Sequence, residues 1–235
     1  MELHFIGTGA AYYPKLGSTS AYLMLQEHLY LIDCGETVFS KIWNHNILKA
    51  CHDVYVLVTH LHSDHIGSLG SFISYTRNIL KKDITILTMD DTIVEILRFT
   101  GLAPAQYTFW NDFNCVFPGD LQIEPQIVVH DKSMKCYGYI LSDGINKYYY
   151  GGDSEGIPSN ILNGIADGSI TRAYQEVTYQ YGTHAGHTSL EQLCKTVPSV
   201  LRNRIMCMHL GGDYESHIIQ KGFSVAHSDI DSNGE

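Results

Sequence analysis

Residues 60 to 65 read His-Leu-His-Ser-Asp-His and follow the apolar run Val54-Tyr55-Val56-Leu57-Val58. Such a run, rich in β-branched side chains, reads as a buried strand. The chain must therefore fold so that four metal-ligand side chains emerge together at the end of one strand. Neutral imidazoles and carboxylates suit zinc. Three His and one Asp within six residues exceed what one tetrahedral ion takes, which points to a second ion. Closed structural zinc sites are usually built from Cys pairs, and no C-x-x-C occurs here, so the cluster reads as catalytic.

A chain of 235 residues can bury a sizeable core, and no Pro/Gly/Ser-rich linker divides it, so one domain over 1–235 is expected, with 229–235 as a flexible polar tail. Apolar content of 44% with 17% charged residues is that of a globular protein. No apolar run reaches the roughly 18 residues of a membrane span. The opening Met1-Glu2-Leu3-His4-Phe5-Ile6-Gly7 has no basic n-region or long apolar stretch, which makes the cytoplasm the expected location. Cys34, Cys51, Cys115, Cys136, Cys194 and Cys207 show no metal or redox spacing and read as reduced, packed thiols. The net charge of -10 argues against a broad nucleic-acid-binding face. A pair of bound cations would nevertheless leave one local pocket positive and attractive to an anion.

Strand-like runs at Leu3 to Ile6, Ala21 to Leu25 and Leu29 to Ile32 open the chain, the last two joined by a turn at Gln26-Glu27-His28. Helical spacing follows over Glu36 to Lys49, then the strand before the His cluster, a helix over Ile66 to Lys82, a strand at Ile84 to Leu87 and a helix over Asp91 to Thr100. Beyond Cys115 the pattern turns to strands at Leu121 to His130, Cys136 to Ser142 and Lys147 to Gly151. Helices at Ile157 to Ile165 and Thr188 to Val197 alternate with strands at Ala173 to Thr178, Ile205 to Met208 and Phe223 to Ala226. The order implies two sheets packed face to face with helices outside, an α/β, four-layer αββα sandwich.

Isolated ligand-type residues recur at strand ends: His130 in Val-Val-His-Asp, Asp153 in Tyr-Gly-Gly-Asp-Ser and His209 in Met-Cys-Met-His-Leu. Together with Phe5-Ile6-Gly7-Thr8-Gly9, Leu31-Ile32-Asp33-Cys34-Gly35-Glu36, Tyr137-Gly138-Tyr139, Gln175-Glu176-Val177-Thr178 and Gly186-His187-Thr188-Ser189, the chain resembles the metallo-β-lactamase superfamily, and within it the ribonuclease Z branch, almost end to end. The resemblance implies that His60, His62 and His130 hold one zinc, that Asp64, His65 and His209 hold the other, and that Asp153 bridges them. Manganese or iron are alternatives to zinc. Relatives that cleave β-lactams place a Cys in the second site, where this chain has Asp153 and His65.

The resemblance also implies a catalytic set of Asp64, His187 and Glu176 around a hydroxide activated by two metals, with Glu176 orienting His187. His184 has the same neighbourhood and receives no role. Ribonuclease Z enzymes carry a long arm for transfer RNA between the His130-like and Asp153-like positions, whereas here positions 131 to 152 supply only 22 residues. The substrate expected is therefore a small anionic phosphodiester, a nucleotide or short oligonucleotide, and large structured RNA ranks lower. Lactone or thioester hydrolysis and metal-dependent binding without turnover are the alternatives. Tyr12, Tyr13, Tyr107, Tyr179 and Tyr181 are candidates to line a pocket or stack a base. The resemblance further points to a homodimer, and the lack of a long apolar run to no membrane partner.

Overall fold

The structure is a computed structural model, and it describes residues 1–178 and 186–230. Six strands form the first sheet in chain order: His4–Gly7 (β1), Ser20–Leu25 (β2), His28–Ile32 (β3), Asp53–Leu57 (β4), Ile84–Leu87 (β5) and Thr108–Trp110 (β6). The second sheet contains Val116–Phe117 (β7), Leu121–Ile127 (β8), Tyr137–Ser142 (β9), Lys147–Tyr150 (β10), Arg172–Glu176 (β11), Ile205–Met208 (β12) and Ser224–Val225 (β13), with β7 and β13 at its edges. Each sheet is antiparallel where it starts and parallel from β3 or β10 onward. Parallel pairing requires crossovers. Val38–Asn44 (α1), Ser63–Ile66 (α2), Leu69–Asn78 (α3) and Thr92–Phe99 (α4) lie along the crossovers of the first sheet, and Ser159–Asp167 (α5), Leu190–Thr196 (α6) and Glu215–Gln220 (α7) along those of the second.

Strand alternation divides the apolar side chains among three clusters, which is what a four-layer αββα arrangement demands. Leu29, Leu31, Val54 and Val56 face outward onto Ile42 of α1, Phe72 of α3 and Ile93 of α4. Their neighbours Tyr30, Ile32 and Leu57 face inward onto Tyr139, Leu141 and Tyr150 of the second sheet. Ala173 and Cys207 face outward again, onto Ile161 of α5, Leu193 of α6 and Ile218 of α7. Burial of each such Leu, Ile, Val or Phe contributes about 1.5–3 kcal/mol. The two sheets are also tied by polar bonds, because Tyr139 donates its hydroxyl to the Val58 carbonyl at 2.6 Å and Tyr137 donates its amide to the Thr59 carbonyl at 2.9 Å. Both bonds fall just before the His cluster and fix where β4 ends.

Several local features depart from the sequence expectation. The first hairpin turns on Gln26 and Glu27 alone, at φ 48° and 70°, the left-handed pair that matches strand twist, and His28 already belongs to β3. The helix expected over 36–49 stops at Asn44, and Asn46 at φ 56° leads into a separate 3-10 turn, Ile47–Ala50. The helix expected from Ile66 is split, and its first turn, α2, includes Asp64 and His65. The strand expected to run to His130 stops at Ile127. β6, β7 and α7 carried too few apolar residues in register to be read in advance. Of the residues expected in a flexible tail, Asp229 accepts the Phe5 amide at 2.8 Å and donates its own amide to the Phe5 carbonyl at 2.9 Å, and Ile230 is buried, while 231–235 lie outside the described residues. Cys115 is exposed, although Cys34, Cys51, Cys136 and Cys207 are buried as expected. No described helix is long and apolar enough to cross a membrane.

Phe72→Ala is expected to lower unfolding free energy by about 3–5 kcal/mol, whereas Phe99→Ala, at a side chain 78% exposed, should change it by less than about 0.5 kcal/mol. Urea denaturation of the two variants checks this, and equal losses would contradict the layering.

Candidate metal centre

The donor side chains come from loops that leave consecutive strand ends. His60 lies three residues past β4, Asp153 three past β10, His130 three past β8, and His209 immediately follows β12. β8, β10 and β12 run in one direction, since β9 is antiparallel to both β8 and β10 and β11 is parallel to β10 and β12, so their ends open on one edge of the second sheet. The short α2 then folds Asp64 and His65 back against the loop Asp33-Cys34-Gly35, where Cys34 donates its amide to the His65 carbonyl at 2.7 Å. Position 35 must be glycine, because a β-carbon there would overlap the Asp64 carbonyl oxygen. Asp33 and His209 hold left-handed backbone at φ 62° and 58°, a conformation that costs a residue with a β-carbon and collects at functional sites.

Two donor groups result. His60, His62 and His130 converge, with His62 Nδ1 3.0 Å from His60 Nε2 and 3.2 Å from His130 Nε2. Asp64, His65, Asp153 and His209 form the second group, where Asp64 Oδ2 lies 3.3 Å from His65 Nε2 and 3.2 Å from His209 Nε2. Asp153 stands between them with its two oxygens divided. Oδ2 lies 3.9 Å from His60 Nε2 and 3.7 Å from His130 Nε2. Oδ1 lies 3.4 Å from His65 Nε2 and 3.5 Å from His209 Nε2.

Hydrogen bonds at the back of the rings decide which nitrogen points inward. His65 Nδ1 donates to the Asp33 carboxylate at 2.8 Å, and Thr59 donates to that same carboxylate from its amide and its hydroxyl, each at 2.8 Å. His130 Nδ1 donates to the Gly186 carbonyl at 3.0 Å, and His60 Nδ1 lies 3.1 Å from the Thr59 hydroxyl. His62 is reversed: its Nε2 lies 3.3 Å from Asp131 Oδ2, which turns Nδ1 inward. Each of these partners leaves a lone pair aimed at the centre, the arrangement by which outer groups orient metal-binding imidazoles.

The donors fit divalent cations. Three imidazole nitrogens that meet with outward-held protons would repel one another unless a cation accepts their lone pairs. His65 Nε2 and Asp153 Oδ1 are buried, with no hydrogen-bond partner among the described residues, a costly state for polar atoms. Asp33, Asp64, Asp153 and Glu176 are all buried, and among the described residues their ion-pair partners are imidazoles alone. Burial and the neighbouring imidazoles hold His60 well below the usual histidine range, and burial also lowers His130. Burial opposes ionisation of Asp64 and Asp153, but the charges and hydrogen bonds of His209 and His65 prevail and keep both far below the usual carboxylate range. Burial also opposes protonation of His65 and His209, but the charge of Asp153, with Asp33 at His65 and Asp64 at His209, prevails and raises both above the usual histidine range. These two rings thus hold positive charge where a divalent cation would take its place, and the set of imidazoles and carboxylates suits zinc and related ions.

His187 sits beside both groups, its ring packed edge-on against His130 and parallel to His209. Its Nδ1 donates to Glu176 Oε1 at 2.9 Å, and the same oxygen accepts the Ser154 amide at 3.0 Å and the Thr188 amide at 3.3 Å. Burial lowers the basicity of His187, but the Glu176 hydrogen bond and charge outweigh it and push its pKa up to about 8. Ser189 caps α6 by accepting the Gln192 amide at 3.1 Å, so the helix entry is served by Ser189 and His187 is left for the centre. Next to these groups opens a cavity of about 570 Å³, lined by His62, Asp64, Asp153, His187 and His209 together with Ala10, Tyr12, Glu36, Gly211 and Tyr214.

All nine residues singled out from the sequence (the seven donors, His187 and Glu176) are thus neighbours in space. Of the tyrosine candidates, Tyr12 lines the cavity, whereas Tyr13 and Tyr107 are absent from its wall. Tyr179, Tyr181 and His184 lie outside the described residues. Asp33 and Asp131 were missed as orienting groups, although Asp33 directly follows β3 and Asp131 is adjacent to His130.

This architecture and donor set define a metallo-β-lactamase fold. Among solved structures, the metallo-β-lactamase fold protein YhfI from Bacillus subtilis superimposes with a TM-score of 0.74 at 18% identity, covering 96% of both chains. The family described as anti-Pycsar protein Apyc1 matches residues 1–227, and the chain belongs to that family. The anti-Pycsar protein Apyc1 of Paenibacillus sp. strain J14 is 27% identical over 232 residues, 92% of this chain and 91% of its own length. A ribonuclease Z from Exiguobacterium sibiricum is 39% identical, but over 108 residues that cover 43% of this chain and 35% of its own. The resemblance to ribonuclease Z is therefore strong over one part of the chain, while the Apyc1 likeness runs through it.

Asp33→Ala frees the His65 ring and is expected to weaken metal binding by about 10- to 100-fold. Competition with a chromogenic chelator checks this, and unchanged affinity would contradict an orienting role.

Proposed function

We propose that this chain is a metal-dependent phosphodiesterase that cleaves a small, nucleotide-sized phosphodiester. The observation that carries the reading is the divided Asp153 carboxylate, one oxygen toward each donor group, which suits a bridge between two cations. His60, His62 and His130 would hold one ion and Asp64, His65 and His209 the other, with zinc as the expected metal and manganese or iron as alternatives. Such a pair supplies positive charge for phosphoryl oxygens and lowers the pKa of a water to about 7.

The chain's own residues do the rest. Asp64 and Asp153, both held ionised, would offset part of the charge of the bound ions. His187, its Nδ1 committed to Glu176, has Nε2 as its remaining donor and offers that proton to the leaving oxygen or to charge developing on phosphorus. Glu176 acts through His187 and positions it. The cavity of about 570 Å³ has the size of a small-molecule site. Positions 131 to 152 hold β9, β10 and the short segments that flank them, which supports a small substrate over a large folded RNA. A cavity of this size makes cyclic mononucleotides, the smallest nucleotide phosphodiesters, the class to test first.

Metal-stripped protein is expected to be inactive and to regain cleavage of phosphodiesters, in preference to lactones and thioesters, when zinc or manganese is restored. Hydrolysis of lactones or thioesters alone, or none of the three, would overturn the assignment. His187→Ala should keep its metal content and lose about 10²- to 10⁴-fold in kcat. Elemental analysis alongside steady-state kinetics checks this, and full activity would remove the role.

A further inference from the structure

Tyr12 is 93% exposed, yet it lines the same cavity as Asp64, Asp153 and His209. Its ring and hydroxyl have no hydrogen-bond or aromatic partner among the described residues. The loop that carries it is nevertheless firmly held. Tyr13 donates its amide to the Ala10 carbonyl at 2.9 Å, closing a turn with Ala11 and Tyr12 at its centre. Gly9 donates to the Gly17 carbonyl at 2.8 Å, and a β-carbon at Gly9 would crowd the carbonyls of Tyr13 and Gly17. Leu210 donates to the Thr8 carbonyl at 2.8 Å and accepts the Ala10 amide at 3.1 Å. Leu210 is the residue after His209, so the Tyr12 turn is indexed to the metal centre through two backbone bonds.

The wall beside Tyr12 is built from Ala10, Ala11, Gly211 and Gly212, small residues that leave room for a flat group. The hydroxyl of the other aromatic lining residue, Tyr214, is committed, donating to the Val177 carbonyl at 2.7 Å and accepting the Gly211 amide at 3.0 Å. Among the described lining residues there is no Lys or Arg, while Glu36 adds a carboxylate. Affinity for the part of a substrate beyond its phosphate must therefore come from a neutral surface. An unpartnered phenol ring carried on a firmly bonded turn supplies one, since every nucleobase has a π-face that stacks on an aromatic side chain.

We propose that Tyr12 is a specificity-determining residue that stacks on the base of a nucleotide whose phosphodiester lies at the metal centre. The assignment rests on the phosphodiesterase reading. The test compares a 3′,5′-cyclic mononucleotide with the corresponding 1-deoxyribose cyclic phosphate, which has no base, in zinc-loaded wild type, Tyr12→Ala and Tyr12→Phe. In wild type the nucleotide is expected to have the lower KM. That advantage should shrink by about 5- to 150-fold in Tyr12→Ala, the range that loss of one stacked base implies, and should persist in Tyr12→Phe. An advantage unchanged in Tyr12→Ala would overturn the assignment and leave the hydrolase reading intact. If wild type cleaves neither diester, the hydrolase reading fails by itself. Calorimetry with a nucleoside 5′-monophosphate and ribose 5-phosphate then decides the stacking: a base-dependent gain in affinity lost in Tyr12→Ala supports it, and no such gain overturns it.

Discussion

The buried carboxylate of Asp153 is the interaction on which the site depends. With Asp33, Asp64 and Glu176 it makes a cluster of buried acidic groups, in a region where ionised carboxylates are expensive to desolvate. Imidazoles surround it on both sides, and several of them are locked by back-side partners that turn the other ring nitrogen inward. Such a constellation is poorly compensated by its own atoms. Positive charge placed between the donors relieves the lone-pair repulsion among imidazoles and the unpaired state of His65 Nε2 and Asp153 Oδ1 at once.

The fold makes this concentration of polar groups tolerable by confining it to one rim of an otherwise apolar sandwich. Tyr139 and Tyr137 pin the end of β4 to the second sheet, so the His cluster meets Asp153 across the inter-sheet core. β8, β10 and β12, alternate strands of the second sheet that run in one direction, bring His130, Asp153 and His209 to the same edge. The opening turn is bonded to Thr8 and Leu210 and so belongs to the same rim, which places Tyr12 at a fixed distance from the chemistry.

Much of this was legible in the sequence. The six residues from His60 carried the metal chemistry openly, and His130, Asp153 and His209 became readable because each followed an apolar strand. The two packed sheets with helices outside followed from the order of apolar strand and helix runs along the chain. The orienting role of Asp33 was hidden because an Asp followed by Cys-Gly reads as a turn, and only the tertiary fold brings it within 2.8 Å of His65. Asp131 was hidden for a related reason: its bond to His62 spans the two sheets. The split of the helix expected from Ile66 was missed because periodicity registers apolar residues, while α2 is a turn of ligands. Short edge strands such as β7 are defined by their partners more than by their own residues.

The most direct test of a paired cation centre is anomalous scattering from crystals of zinc-reconstituted protein, measured above and below the metal edge. Two peaks per chain are expected, one among His60, His62 and His130 and one among Asp64, His65 and His209, with an Asp153 oxygen at each. A single peak, or none near these donors at full metal occupancy, would contradict the dinuclear centre.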